Sequence, residues 1–270
     1  MKVEQSTSIH RITTGVKTPF SRSTFALARR WFQRLKREPA GLAASLVQPV
    51  IWLVLFGSLF TNVVTISQYG YIAFMTAGVV VMTVFDGALS GGVELLFDRE
   101  SGMLRRLVAA PISPSSIIAS RMFFVLAIAG LQSLLVLLVA NLLGVNIASG
   151  PAGVGLVLLT SLLLGVGILS ASMALAFGLS GHAQFFSITG FISLPIIFAS
   201  SALAPLSQMP PWLRAVASVN PLTYAINGVR NLILQGFDWV TLGSVLLVLI
   251  VFDLSMFAIA IWTMRRSVES

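Results

Sequence analysis

Six long apolar runs leave this chain little choice of architecture. They cover about residues 42–62, 72–96, 122–144, 153–179, 185–205 and 241–263. A bilayer core of about 30 Å takes roughly 20 apolar residues per helix. Backbone polar groups in lipid must be satisfied internally, so each run reads as a helix rather than an open strand. The expectation is an all-α membrane protein with six transmembrane helices. Composition excludes the soluble alternative: 10% of the residues are charged and 56% are hydrophobic, against about 25% charged in a soluble domain. Pro49 and Pro195 fall inside runs, which is tolerated where neighbours take up the freed carbonyls.

Loop charge sets the expected orientation. With the N-terminus in the cytosol, the inner side holds nine Lys and Arg in the first 37 residues, four between 99 and 121, and Arg265 and Arg266. Only Arg214 and Arg230 are left outside. The excess predicts an N-in, C-in topology. Clustering of basic residues in the arm fits anionic lipid better than a nucleic-acid face, so no nucleic-acid partner is expected. No signal peptide is expected either, since no short apolar stretch with a small-residue cleavage site precedes the first run.

The division expected is a cytoplasmic arm and interface helix over 1–40 and a six-helix transmembrane domain over 41–270. Within the arm, Phe25, Ala28, Phe32 and Leu35 recur at helical spacing, with Trp31 adding to the aromatic content. Arg29, Arg30, Gln33, Lys36 and Arg37 take the other side. Such a basic amphipathic helix lies along a membrane surface.

Between the second and third runs, residues 97–121 (FDRESGMLRRLVAAPISPSSIIASR) are the most charged internal stretch. Pro111 and Pro114 break it, and Ser113 or Ser115 can cap a short helix running through Ile117 to Arg121. A short helix held between two membrane helices is a docking element. A plain topology-setting loop explains the arginines equally well.

The segment Arg99-Glu100-Ser101-Gly102, with Leu104, Leu107, Pro111, Ile112 and Ser113, resembles the cytoplasmic segment of ABC-2 type permeases, the membrane subunits of type V ABC exporters, and in particular their daunorubicin-resistance branch. Two further stretches resemble that family. One is Arg37-Glu38-Pro39 followed by Gln48-Pro49. The other runs from Pro211-Trp212-Leu213 through Asn220-Pro221-Leu222-Thr223-Tyr224 to Arg230. The resemblance implies a pair of six-span subunits, either two copies of this chain or one with a related permease, bound to two cytosolic ABC ATPase subunits in a bacterial plasma membrane. It makes the 113–120 turn a coupling helix seated on the ATPase and the arm helix its brace. It also makes 206–236 short re-entrant outer helices, which Pro205, Pro210, Pro211 and Pro221 independently favour by interrupting an apolar segment; a plain outer loop is the alternative. The coupling residues implied are Arg99, Glu100, Gly102, Leu104, Arg105, Pro111, Ser113 and Ile117. The implied interface residues are Phe25, Arg29, Trp31 and Phe32.

No GxxxxGK[ST] stretch occurs, so ATP and magnesium are expected on the partner ATPase and not on this chain. Leu89-Ser90-Gly91-Gly92 spells the start of an ABC signature but lies in an apolar run. Gly87 and Gly91 read instead as a pair permitting close helix approach. Cysteine is absent and the two histidines, His10 and His182, have no carboxylate at ligand spacing. No metal site or catalytic set is therefore expected.

Asp86, Ser90 and Glu94 form one polar stripe on the second run, and Asp253 lies midway along the sixth. Ionisable groups in lipid usually face a bundle interior or a cavity. They read either as a translocation surface or as hydrogen-bonded carboxyls joining helices. The function expected is export of an amphipathic or lipid-like molecule (drug, glycolipid or lipid) by a non-enzymatic permease subunit. The alternative is a proton- or cation-coupled secondary transporter using Asp86, Glu94 or Asp253.

Overall fold

A computed structural model describes residues 19–37, 39–60, 70–103 and 114–269. Among these, all the regular secondary structure is helical. α1 is Phe20–Arg37, α2 Pro39–Phe60, α3 Gly70–Glu100, α4 Pro114–Leu142 and α5 Gly150–Gly178. α6 is His182–Phe198, followed by a 3-10 turn at Leu206–Gln208, then α7 Pro211–Val219, α8 Pro221–Leu234 and α9 Trp239–Glu269.

Five of these helices, α2, α3, α4, α5 and α9, are long and apolar enough to cross a membrane, not six. The fifth expected span is the one that falls short. α6 has 17 residues, about 26 Å at 1.5 Å per residue, against a core of about 30 Å. Its C-terminal end is capped early. The Asn220 side chain donates to the carbonyls of Ile196 (2.9 Å) and Ala199 (2.7 Å), and the Ser200 hydroxyl donates to Ile197. Residues 199–205 thus leave the helix that apolarity alone extends to 205. The even span count behind the N-in, C-in expectation is not met among the described residues.

Two further corrections concern short helices. Among the described residues, 114–121 do not form a helix of their own. From Pro114, suited to a first helical position, α4 runs unbroken to Leu142, and Ile117 is buried in the bundle instead of facing outward. The expected re-entrant pair is instead α7 and α8. α8 buries Leu222, Ile226, Val229 and Ile233 against α3, α5 and α9, as a core element.

α3 is the axis of the molecule. Of its most apolar stretch 78% is buried, against 17% in α9 and 11% in α2. Those two therefore offer their apolar faces to lipid or to another chain. α3 packs on α5 through small residues. A side chain at Gly91 would meet Leu169 and Val125, and one at Gly92 would meet the Ser172 backbone, whereas at Gly87 it would meet only Ala129, at 3.9 Å. The close approach thus rests on Gly91 and Gly92, not on a Gly87–Gly91 pair. Ser172 joins the two helices: its Oγ accepts from Gly92 N (3.0 Å) and donates to the Leu89 carbonyl. Leu89-Ser90-Gly91-Gly92 is plain helix at this seam.

Pro49 bears out its sequence reading. It cannot bond to the carbonyl one turn back, that of Ser45, and Gln132 of α4 donates to that oxygen at 3.0 Å. At the start of α9, Asp238 accepts from the Thr241 hydroxyl and from the backbone of Thr241 and Val240. These bonds, Thr241's first, hold its carboxyl below the usual range.

Candidate functional site

One end of the bundle gathers the charge. There α3 ends, α4 begins, α5 gives way to α6, and α1 packs against α4. α1 buries Ala28 and Trp31, and half-buries Phe32, against Phe123 and Phe124 of α4. Trp31 lies 6.1 Å from Phe124, and Phe32 lies 5.1 Å from the same ring. Phe25 is not on that face; it is exposed, as is Arg29.

Arg121, read from sequence as a loop charge, is 8% exposed. Its guanidinium lies 4.7 Å from the centre of the Trp31 ring and 5.5 Å from that of Phe124, and Nε donates to the Gly91 carbonyl at 3.2 Å. One planar cation therefore joins α1, α3 and α4, a task suited to arginine's stacking surface and fixed fork of donors. Arg30 of α1 reaches Asp98 of α3 at 3.8 Å, with Asp98 buried.

The last turn of α3 holds the α5–α6 connection. Arg99 Nη1 donates to the Leu179 carbonyl at 3.3 Å. Glu100 Oε1 accepts the His182 backbone N–H at 3.0 Å, and Oε2 lies 2.8 Å from His182 Nδ1. The Phe97 ring lies 5.2 Å from the imidazole. A carboxylate at the first turn of α6 meets unsatisfied N–H groups and the positive end of the helix dipole. Gly102 then turns the chain with φ +70°, a conformation that favours glycine. Leu104, Arg105, Pro111 and Ser113 lie outside the described residues.

The sequence reading missed the Glu100–His182 pair, whose members lie 82 residues apart. A signal was present. Span counting puts both at the same surface, and a short connection gives His182 little room to stray.

The intramembrane carboxylates do not converge. Asp86 and Ser90 are exposed on the flank of α3 and Glu94 is half-buried. Asp253 is 7% exposed on α9 and faces Gly167 of α5, where a side chain would collide with Oδ1. Among the described residues, no group of three or more His, Asp or Glu could hold a metal ion.

The fold is that of an integral multi-pass membrane protein. Residues 22–234 match the family model described as ABC-2 type transporter, and the chain belongs to that family. That family is one of membrane permeases that lack a catalytic nucleotide-binding domain. A putative transport permease ycf38 of Porphyra purpurea is 42% identical over 219 residues, 79% of this chain and 74% of that one. Its counterpart from Cyanophora paradoxa is 34% identical over 251 residues, 87% and 86%. A daunorubicin resistance ABC transporter permease protein, DrrB1, of Streptomyces coeruleorubidus is 26% identical over 204 residues, 75% and 72%.

Proposed function

We propose that this chain is the permease subunit of an ATP-driven exporter. In this reading it moves an amphipathic or lipid-like molecule outward across a bacterial plasma membrane. Two cytosolic ATPase subunits bind ATP and magnesium and seat on the charged end of the bundle, and a second permease chain completes the pathway. α1 lies along the membrane surface and braces that end. The permease makes and breaks no covalent bond; its part is mechanical.

One observation carries this reading. The stretch leading into 104–113 is tied at its α3 side to α1 by Arg30–Asp98 and to the α5–α6 connection by Arg99 and Glu100. On its α4 side Arg121 ties it to α1 and α3. A force applied where α3 ends and α4 begins therefore reaches α1, α3, α4, α5 and α6 together. Coupling between two sites can be carried by such a chain of packed side chains, hydrogen bonds and ion pairs. The relatives from Streptomyces and Mycobacterium are named as permease proteins of daunorubicin- and doxorubicin-resistance ABC transporters, which supports the exporter direction.

The test is capture of a tagged chain from gently solubilised membranes. A P-loop ATPase should come down with it, and Glu100→Lys should weaken that association while insertion in the membrane is unchanged. Recovery of the chain with no ATPase, together with flux driven by a pH gradient, overturns the proposal.

A further inference from the structure

The opposite end of the bundle carries a feature that the charged end does not use. Five rings form a continuous ladder. Trp52 stacks on Phe56 with centroids 4.9 Å apart, Phe56 on Phe60 at 5.8 Å, Phe60 meets Tyr71 at 5.5 Å, and Tyr71 meets Phe74 at 6.1 Å. The ladder begins in the open, with Trp52 44% exposed, and ends in the core at Tyr71 and Phe74. The part on α2 runs from Trp52 to Phe60, a rise of about 12 Å. On the final ring sits a cation: Arg230 Cζ lies 3.7 Å from the Phe74 centroid.

Among the described residues, no acid lies beside Arg230. Nη2 donates to the Ser201 carbonyl at 2.7 Å and Nη1 to Asn227 Oδ1 at 3.3 Å, while Nε is buried and donates to no acceptor. Among the described residues, no carboxylate forms an ion pair with it. A guanidinium offers five N–H donors in a fork that matches an oxyanion. Placing one among apolar residues without a counter-charge is costly, and a cation–π contact offsets only part of that. The surrounding polar groups, Tyr71, Ser201 and Asn227, are neutral. Arg230 itself is half-buried, so the site is not sealed. A rigid aromatic track thus leads to a guanidinium whose donors suit an oxyanion.

Resting on the reading that the chain moves an amphiphile, we infer that Arg230 receives the oxyanion headgroup, carboxylate or phosphate ester, of an anionic amphiphile whose apolar body lies along Trp52, Phe56 and Phe60. The ladder supplies large, stiff contact area, and the guanidinium supplies charge-assisted hydrogen bonds. A cationic headgroup is disfavoured there by like charge.

The probe is 9,10-dibromostearate, titrated into the full-length chain in phosphatidylcholine nanodiscs without any ATPase and read by tryptophan quenching. Quenching should saturate and should lose its saturable part in Trp52→Phe. The methyl ester should bind at least about tenfold more weakly, since a hydrogen bond to a charged group is worth about one decade or more. Arg230→Gln should abolish the acid–ester difference and Arg230→Lys should keep part of it. Equal binding of acid and ester by the unmodified protein overturns the inference, and that arm needs no variant to fold. Non-saturating quenching that persists in Trp52→Phe is partition into the bilayer and also overturns it. Displacement of the acid by inorganic phosphate, with no dependence on acyl-chain length, assigns a free-anion site and overturns the amphiphile. Because no ATPase is present, these outcomes are independent of whether one partners the chain.

Discussion

Glu100 and His182 show how much one contact can decide. The carboxylate takes both the backbone N–H and the ring of His182, so it caps α6 and fastens it to α3 at once. Charge reversal by Glu100→Lys puts a cation against the α6 N-terminus and beside the imidazole. ATP-driven transport should fall severalfold, with a rise in ATP turnover per molecule moved; unchanged transport would make Glu100 a passive cap. Arg121 is the complementary case, a buried cation between Trp31, Phe124 and the Gly91 carbonyl. Arg121→Ala should cost roughly 1–3 kcal/mol through lost stacking and hydrogen bonding. Thermal unfolding in detergent measures that loss, and α1 should become more accessible to protease. Arg121→Lys should restore little, because an ammonium cannot stack as a plane.

At the level of the helix, the α3–α5 seam makes a sharp prediction. Gly92→Val pushes a side chain into the Ser172 backbone and should destabilise by about 1–3 kcal/mol or more, as overpacking does. Gly87→Ala should be close to neutral, and its melting temperature beside that of Gly92→Val checks the pair. Asp238 caps α9, and its depressed carboxyl contributes stability above the unfolded value of about 3.9. That contribution is lost as pH falls through the lower folded value. Asp238→Ala should therefore lower the melting temperature at neutral pH and lose its effect in strong acid.

The helices were legible for reasons that also explain the error. A bilayer demands long apolar segments, and five of the six runs became helices able to cross it. α6 failed the same test because its end is set by Asn220, more than twenty residues away, and hydropathy does not register a distant cap. Pro49 was legible because the carbonyl it frees is a local consequence of the residue. Its donor, Gln132, was not.

At the scale of the molecule the same division holds. The charges of 97–121 marked the end proposed to seat the motor, yet the contacts that stiffen it, Arg30–Asp98, Arg99–Leu179 and Glu100–His182, all link separate helices. The far end was read as re-entrant outer helices, with Arg214 and Arg230 as the two charges left outside. In the structure Arg214 fastens the 3-10 turn to α7 by donating to the carbonyls of Leu206, Ser207 and Met209. Arg230 closes the aromatic ladder. About 39 Å of α3, from Phe74 to Glu100 at 1.5 Å per residue, separates the two ends. A single stiff helix thus runs from the proposed motor seat to the proposed headgroup site.

Reconstitution of the chain in sealed liposomes, with and without its copurified ATPase, tests the central claim most directly. Export of a fluorescent anionic amphiphile should require both proteins and ATP, and should be lost in Glu100→Lys. Flux by the chain alone, driven by a proton gradient and indifferent to ATP, would contradict it.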